Sequence, residues 1–372
     1  MRTPAKVAVL LSVLGAPLAA QQASVVTTTQ GLTFDDPTEV GLEAYTMVTS
    51  SFLGSHPITP WLSAGAGVRF ARASMTPTAA ATVDLASLSS TEVFAVARRG
   101  RVQLRGSFAP AVGSTRLSSE HLVLSSLAGS EVLPFPVRGW GRGNGVALDA
   151  TVRVGSALEL LASVRRHGWY TPIAGDPLEY RLGPEVRLGA RLFTAPSALS
   201  LVEVGLVMSR NGADQNKRQD VFDPGTRARL HVSGIFPIGR ATFLLRGDLY
   251  HRGMGRAFEP VETIELVPRS VLGGGNDTRA RTIYSATLET RAPVGPVSMI
   301  LTASGQVGQG AGESTLAWGG LATEIEFRPP LPGRWFIVPS GRVFTGRIAP
   351  LRGYESSVAA WEVSGVLRWE GR

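Results

Sequence analysis

Charged residues recur at alternate positions along many short segments of the chain, with apolar residues between them. In residues 179–193, for example, Arg181, Glu185, Arg187 and Arg191 alternate with small and aliphatic residues. Guanidinium and carboxylate groups at this spacing can pair across neighbouring strands, and surplus guanidinium groups can attract anions. We call the following residues the charged set: Arg69, Arg101, Arg105, Arg153, Arg165, Arg181, Arg187, Arg191, Arg227, Arg229, Arg246, Arg279, Arg281, Arg291, Arg342 and Arg368, with Glu159, Glu185, Asp248, Glu289, Glu324, Glu326 and Glu362.

The segments that carry these charges are predicted β-strands, because successive side chains of a strand point to opposite faces. Residues 359–370 show the alternation most regularly, with one face formed by Ala359, Trp361, Val363, Gly365, Leu367 and Trp369. About a dozen further segments repeat this pattern. A charge facing lipid costs about 2–4 kcal/mol at mid-depth, so a barrel would turn its charged face to the lumen. The pattern therefore predicts a transmembrane β-barrel with a charged lumen.

The N-terminus is predicted to be a cleavable signal peptide, residues 1–20. Arg2 and Lys6 precede an apolar run at residues 7–14, and Ala19 and Ala20 precede Gln21. This order is typical of secretion signals, and the run is too short to span a bilayer as a helix. A buried N-terminal helix is the alternative. Residues 21–372 are predicted to form the barrel.

Composition excludes some functions and favours others. The chain has no cysteine, so it can form neither a disulfide nor a thiolate metal site. Its formal net charge is +8, yet no basic run is present, and we predict no nucleic-acid partner. The histidines His56, His121, His167, His231 and His251 show no spacing that links them to a serine and an acid. We predict no enzymatic activity, no cofactor and no bound metal.

The intervals between predicted strands alternate in length. Short intervals rich in Pro or Gly lie at 155–156, 194–197, 237–239, 293–295 and 329–333, and mostly longer ones at 168–178, 210–225, 252–278, 309–314 and 346–356. Outer-membrane barrels have short periplasmic turns and long extracellular loops. The sequence predicts an all-β, single antiparallel up-and-down barrel of 16 strands, or 14 if residues 24–34 are not a strand. Pro184, inside predicted strand 179–193, indicates a bulge.

The chain resembles Gram-negative outer-membrane β-barrel proteins, although it matches no specific family. Its most specific feature is the terminal strand with Trp361, Val363, Gly365, Leu367 and Trp369, which is similar to the assembly signal of this class. The resemblance implies a location in the bacterial outer membrane and contact with outer-membrane lipid. It also implies recognition of the last strand by the barrel-assembly machinery. Nothing in the residues indicates the oligomeric state.

The long interval 109–144 is the third loop if the barrel has 16 strands. This arrangement resembles the general diffusion porins, whose third loop folds into the lumen and narrows it. Residues 118–129 are predicted to form a short helix there, with Ser118 as its N-cap and Gly129 as its stop. The alternative is an ordinary surface loop.

The function that the sequence favours is a porin-like channel for passive passage of small polar, in particular anionic, solutes. One alternative is a closed barrel with an ion-paired lumen that is structural or binds surface partners through its extracellular loops. Another is a transporter of hydrophobic molecules, for which a lateral opening near Pro184 would be expected.

Overall fold

The structure is a computed structural model that describes residues 22–114, 116–128, 140, 143–175, 179–197, 200–217, 219–258, 280–295, 297–310, 316–327, 329, 334–351 and 354–370. The predicted signal segment, residues 1–20, lies outside this part of the chain. Within the described ranges, no helix is long and apolar enough to cross a membrane.

Sixteen antiparallel strands form a closed barrel. Numbered in chain order, together with four short strands introduced below, they are β1 (Gln22–Phe34), β2 (Leu42–Thr59), β3 (Leu62–Pro77), β4 (Val83–Arg99), β5 (Val102–Ala109), β6 (Gly145–Val154), β7 (Leu158–His167), β9 (Glu185–Ser197), β10 (Ser200–Asn211), β13 (Thr226–Ile238), β14 (Ala241–Arg252), β16 (Arg281–Val294), β17 (Val297–Gly310), β18 (Leu316–Phe327), β19 (Arg334–Leu351) and β20 (Tyr354–Glu370).

The first and last strands close the barrel. β1 pairs with β2 on one side and with β20 on the other, with Gln22 opposite Glu370 and Phe34 opposite Val358. The prediction of 16 strands is confirmed, and the alternative of 14 is wrong because residues 24–34 belong to a paired strand. Several short turns contain a glycine at φ near 60°, including Gly155, Gly239 and Gly295, which tight hairpins favour.

The outward face of the wall is apolar. Leu188, Leu321 and Val343 are typical, with 60%, 65% and 60% of their surface exposed. Near the periplasmic ends of β19 and β20, the rings of Trp335 and Trp369 lie 6.4 Å apart, as in the aromatic girdles of membrane barrels. A closed barrel satisfies all its backbone groups, so an apolar outer face can contact lipid. The chain is therefore a transmembrane barrel of the bacterial outer membrane.

The predicted strand at residues 179–193 is wrong in its first part. The chain forms β8 (Tyr180–Arg181), leaves the strand conformation at residues 182–184, and enters the barrel only at β9. A Cβ atom on Gly183 would lie 1.9 Å from the Gly212 carbonyl oxygen, so the backbones are closely packed there. Pro184 ends the segment, and its carbonyl accepts a hydrogen bond from the Gly212 amide at 2.7 Å.

β8 belongs to a second, four-stranded sheet built from extracellular loops, which we call the outer sheet. Its strands lie in the order β15 (Arg256–Ala257), β12 (Gln219–Asp223), β11 (Asp214–Asn216), β8. Tyr180, Leu182, Val221 and Phe222 form its small apolar core. The sequence did not predict this sheet.

In the described part of the chain, two helices lie between strands: α1 (Pro37–Val40) and α2 (Ser119–Ala128). α2 lies in the third loop, where the Ser118 carbonyl accepts a hydrogen bond from the Leu122 amide at 2.9 Å. Leu117 and Leu124 of this loop are fully buried. They pack with Trp140 on inward-facing apolar residues of β1–β4, β19 and β20, so α2 lies inside the barrel. We call these inward-facing residues the helix-covered patch: Leu32, Phe34, Leu42, Tyr45, Met47, Ala71, Ala73, Met75, Leu85, Phe344, Val358 and Ala360.

Candidate lumen site

Most of the charged set lies on the inward face of the barrel, because these residues alternate with the exposed apolar residues of the outer face. Three members differ. Arg101 lies in the turn before β5, Arg181 lies in the outer sheet, and Arg279 is outside the described residues. Placing Arg181 in the lumen was therefore wrong. Its guanidinium lies 4.7 Å from the centre of the Trp169 ring, outside the barrel strands.

The inward face is rich in arginine on the barrel strands β5–β7, β9, β10, β13 and β14. We call this part of the inward face the arginine wall. Cross-strand register places its charges next to one another. Its arginines are Arg105, Arg153, Arg165, Arg187, Arg191, Arg227, Arg229, Arg246 and Arg252. Its carboxylates are fewer: Asp149, Glu159, Glu185, Glu203 and Asp248. The wall therefore has a surplus of positive charge.

Several arginines of this wall form ion pairs. Arg187 lies 2.8 Å from Glu185, and Arg229 lies 2.7 Å from Asp248. The same Asp248 oxygen is 3.2 Å from Nδ1 of His231. About 60% of the Arg229 side chain remains exposed, so water reaches the guanidinium even where it is paired. Pairing braces the wall without removing the charges from the lumen.

Single carboxylates also serve more than one arginine. Glu159 lies 3.9 Å from Arg153 and 3.5 Å from Arg191. Arg246 is exposed, and its cross-strand neighbours are Ser233 and Thr287. Neither neighbour is charged, so Arg246 contributes directly to the positive surplus.

Three inward arginines form one cross-strand row near the outer end of the barrel. Arg227 is opposite Arg252, and Arg252 is opposite Arg281. Arg252 is 2% exposed. Like charges in direct opposition destabilise a sheet, so this row of arginines lowers the stability of the barrel.

Strands β16 to β20 face the arginine wall and carry carboxylates and arginines in equal number. Their inward acids are Glu289, Glu324, Glu326, Glu362 and Glu370, and their inward arginines are Arg281, Arg291, Arg334, Arg342 and Arg368. The guanidinium of Arg342 lies 5.2 Å from the Trp318 ring centre and 3.1 Å from the Ser304 hydroxyl. Glu362 accepts a hydrogen bond from the Gln30 amide. The lumen is thus positive on one side and mixed on the other.

The lumen residues that the sequence analysis missed include Arg252 of the arginine wall and, on β4, Glu92 and Phe94. Glu92 on β4 pairs with Arg105 at 2.9 Å, and the Arg105 guanidinium lies 4.7 Å from the centre of the Phe94 ring. Glu92 shares its face with Phe94 and Val96, so apolar residues point inward as well as outward there. Alternation of apolar and polar residues consequently gives no signal on β4.

Two of the histidines, His167 and His251, lie near the outer ends of barrel strands, as does Ser209 of β10, but the three do not come together. His167 and Ser209 face the lumen in the strand register, whereas His251 faces outward and its Nδ1 lies 3.0 Å from the Thr282 hydroxyl. The barrel wall separates His251 from the other two, so these residues do not form one constellation.

The residues of the predicted assembly signal occupy the outward face of β20. Trp361 lies opposite Gly31 across the seam between β1 and β20. A Cβ on Gly31 would lie 2.4 Å from the indole nitrogen of Trp361, so the ring covers the glycine backbone. Val363, Gly365, Leu367 and Trp369 continue the same face.

No protein-family model matches the chain, and no curated protein matches its sequence. Among solved structures, it is similar to a "bacterial polysaccharide outer membrane secretin", with 9% identity, 95% of this chain and 99% of that chain covered, and a TM-score of 0.49. It is also similar to Pseudomonas aeruginosa OccK11, with 10% identity, 94% and 95% covered and a TM-score of 0.45. A mutant of Rh. blastica porin has 11% identity, 92% and 99% covered and a TM-score of 0.41.

Proposed function

We propose that the chain is a passive outer-membrane channel that prefers small anionic solutes. The observation that carries the proposal is the surplus of arginine over carboxylate on the inward face of β5 to β14. Positive side chains that line a wet pore favour anions over cations. The proposal assigns the chain no catalytic step. It includes recognition of Trp361, Val363, Gly365, Leu367 and Trp369 by the barrel-assembly machinery.

In this proposal α2 narrows the lumen. Leu124 and Ser125 are buried, whereas Glu120 and Val123 of the same helix are exposed. The arginine wall lies across the remaining space. A solute that passes α2 therefore comes close to guanidinium groups, where the surplus charge has its largest effect. Exposed arginines such as Arg246 are the strongest candidates for selectivity.

The test is the single-channel conductance of refolded residues 21–372 in planar bilayers, with the reversal potential measured under a KCl gradient. We expect steady open channels and a reversal potential of the sign that chloride permeation gives. Arg246→Glu should reduce the anion preference. Arg166→Glu is the matched control, since Arg166 is exposed and faces outward near the outer end of β7. A folded wild-type barrel without conductance would refute the proposal.

The alternative of a closed barrel that binds through its loops has one observation in its favour. The outer sheet is a folded extracellular structure next to exposed side chains, including Trp169 at 37% and Met254 at 75% exposure. Absence of conductance together with binding to cell-surface material would support this alternative.

The structure gives less support to the alternative of a transporter of hydrophobic molecules than to the other two functions. Both neighbours of β9 pair with it from Glu185 onward, and the Gly212–Pro184 hydrogen bond continues the pairing above that point. Among the residues described there, the wall beside Pro184 is closed.

A further inference from the structure

The outer sheet connects several extracellular loops through backbone hydrogen bonds. β11 pairs with β8 from the preceding loop, and β12 pairs with β15 from the following loop. The Phe258 amide donates to the Val221 carbonyl at 3.1 Å, and the Lys217 amide donates to the Glu179 carbonyl at 3.1 Å. The loops that follow β7, β10 and β14 therefore form one hydrogen-bonded structure.

Asp214 lies at the centre of this structure and is fully buried. One carboxylate oxygen accepts a hydrogen bond from the Gly183 amide at 2.8 Å, and the other accepts one from the Tyr180 hydroxyl at 2.7 Å. Both donors belong to the loop before β9. A buried carboxylate with two such donors fixes the position of that loop, because either donor would be unsatisfied without it.

The same loop extends to the beginning of α2. Tyr170 and Tyr180 exchange backbone hydrogen bonds of 3.0 and 2.9 Å. A few residues further on, the Leu117 amide donates to the Pro172 carbonyl at 2.8 Å, and the Ala174 amide donates to the Leu117 carbonyl at 2.8 Å. Leu117 is fully buried and lies two residues before Ser119, where α2 begins. A continuous set of hydrogen bonds thus joins Asp214 to the N-terminal end of the helix.

From this connection we infer that Asp214 and the outer sheet position α2 inside the barrel, although none of these residues lines the lumen. The helix is held on the barrel wall and at its N-terminal end. On the wall, its side chains pack on the helix-covered patch, and the His121 ring nitrogen lies 3.1 Å from the Asp84 carbonyl oxygen of β4. At its N-terminal end, it is bound to the loop at residues 170–174. Release of the second attachment allows the helix to move within the lumen. The effect on conductance rests on the proposed function, whereas the effect on helix mobility does not.

Two variants release the attachment. Asp214→Ala removes both acceptors, and its control is Asp220→Ala, an exposed aspartate of the same sheet that accepts a hydrogen bond from Gln215. Ala174→Pro removes the amide that bonds to Leu117, and its control is Ala174→Ser, which keeps the amide. Gly175 follows at φ 82°, as in a type II turn, whose preceding position accepts proline.

Helix mobility is measured with a nitroxide label on Val123→Cys, since the chain has no other cysteine and Val123 is 44% exposed. We expect the label to become more mobile in Asp214→Ala and Ala174→Pro, and to remain as in wild type in both controls. Single-channel recordings should show several-fold more brief closures in the same two variants. Heat-modifiable gel mobility checks that each barrel is folded.

Folded Asp214→Ala and Ala174→Pro barrels with wild-type label mobility would overturn the inference. A wild-type barrel without conductance would instead refute the proposed function and leave the mobility result to decide the positioning role. Increased mobility in Asp220→Ala equal to that in Asp214→Ala would also overturn the inference, because any change in the sheet would then have the same effect.

Discussion

The helix-covered patch and the arginine wall are parts of the same inward face. The patch is buried beneath the third loop, whereas most of the arginine wall is exposed to the lumen. Both are built from antiparallel strands with continuous pairing. Tyr45 and Met47 are 1% exposed beneath the third loop, whereas about 62% of the Arg153 side chain is exposed. Burial of apolar surface contributes about 25 cal/mol per Å², while burial of an unpaired guanidinium is costly. The inward residues of each region therefore determine where the loop can settle.

The substitution with the largest expected effect places a charge in the contact between α2 and the patch. Leu124→Asp would bury a carboxylate without a partner, which destabilises by about 3–5 kcal/mol in comparable cases. The variant must either bear this cost or move the helix off the patch, so we expect a lower melting temperature and an altered conductance. Val123→Asp is the control, because the neighbouring Val123 is 44% exposed. Wild-type melting and conductance in Leu124→Asp would contradict the description of the patch.

A second test compares one inward glycine next to each region. A Cβ on Gly320 would lie 2.7 Å from Cβ of Phe344, a patch residue, and 2.8 Å from a backbone oxygen. A Cβ on Gly205 would meet only Cγ of Arg191, at 3.4 Å, and a carbonyl at 3.8 Å. We expect Gly320→Ala to lower the free energy of unfolding by about 1–3 kcal/mol through overpacking.

Gly205→Ala should be neutral or stabilise by about 0.5 kcal/mol, since alanine loses less backbone entropy than glycine and Arg191 can move. Urea unfolding of both variants in detergent gives the comparison. Equal changes in the free energy of unfolding at the two sites would mean that the patch and the arginine wall are packed equally tightly, contrary to the description above.

The alternation of apolar and polar residues predicted the barrel wall because the pattern depends only on the residues of each strand. Each strand from β5 to β20 that joins the barrel has an apolar outward face that can be read from the strand itself, and so the strand number and the inward arginines could be predicted. The helix-covered patch could not be predicted in this way. Leu32 and Phe34 are as apolar as outward residues, and their burial depends on a helix some 85 residues later in the chain.

The outer sheet escaped prediction for the same physical reason. Residues 179–193 alternate without interruption apart from Pro184, so they predict one strand. The chain leaves the barrel at residues 182–184 because the Gly183 amide bonds to Asp214, a residue of a different loop. Nothing in the local pattern indicates that partner. Arg181 was therefore assigned to the lumen, although Arg187 and Arg191 of the same segment lie there.

The clearest change in selectivity is expected from a pair of aspartates. Asp248 binds Arg229 at 2.7 Å inside the lumen, and Asp223 of the outer sheet binds Arg210 of β10 at 2.9 Å, with the arginine side chains 60% and 62% exposed. Because Arg210 is exposed, Asp223→Asn should change the free energy of unfolding by no more than about 1 kcal/mol. Asp248 is 10% exposed and also contacts His231, so Asp248→Asn should lower the free energy of unfolding by about 1–3 kcal/mol. Only Asp248→Asn adds positive charge to the arginine wall. Its reversal potential in a KCl gradient should move toward the chloride value, opposite to Arg246→Glu, while Asp223→Asn should match wild type. An equal shift in both aspartate variants would mean that selectivity follows the charge of the whole chain, and the arginine wall would then have no special role.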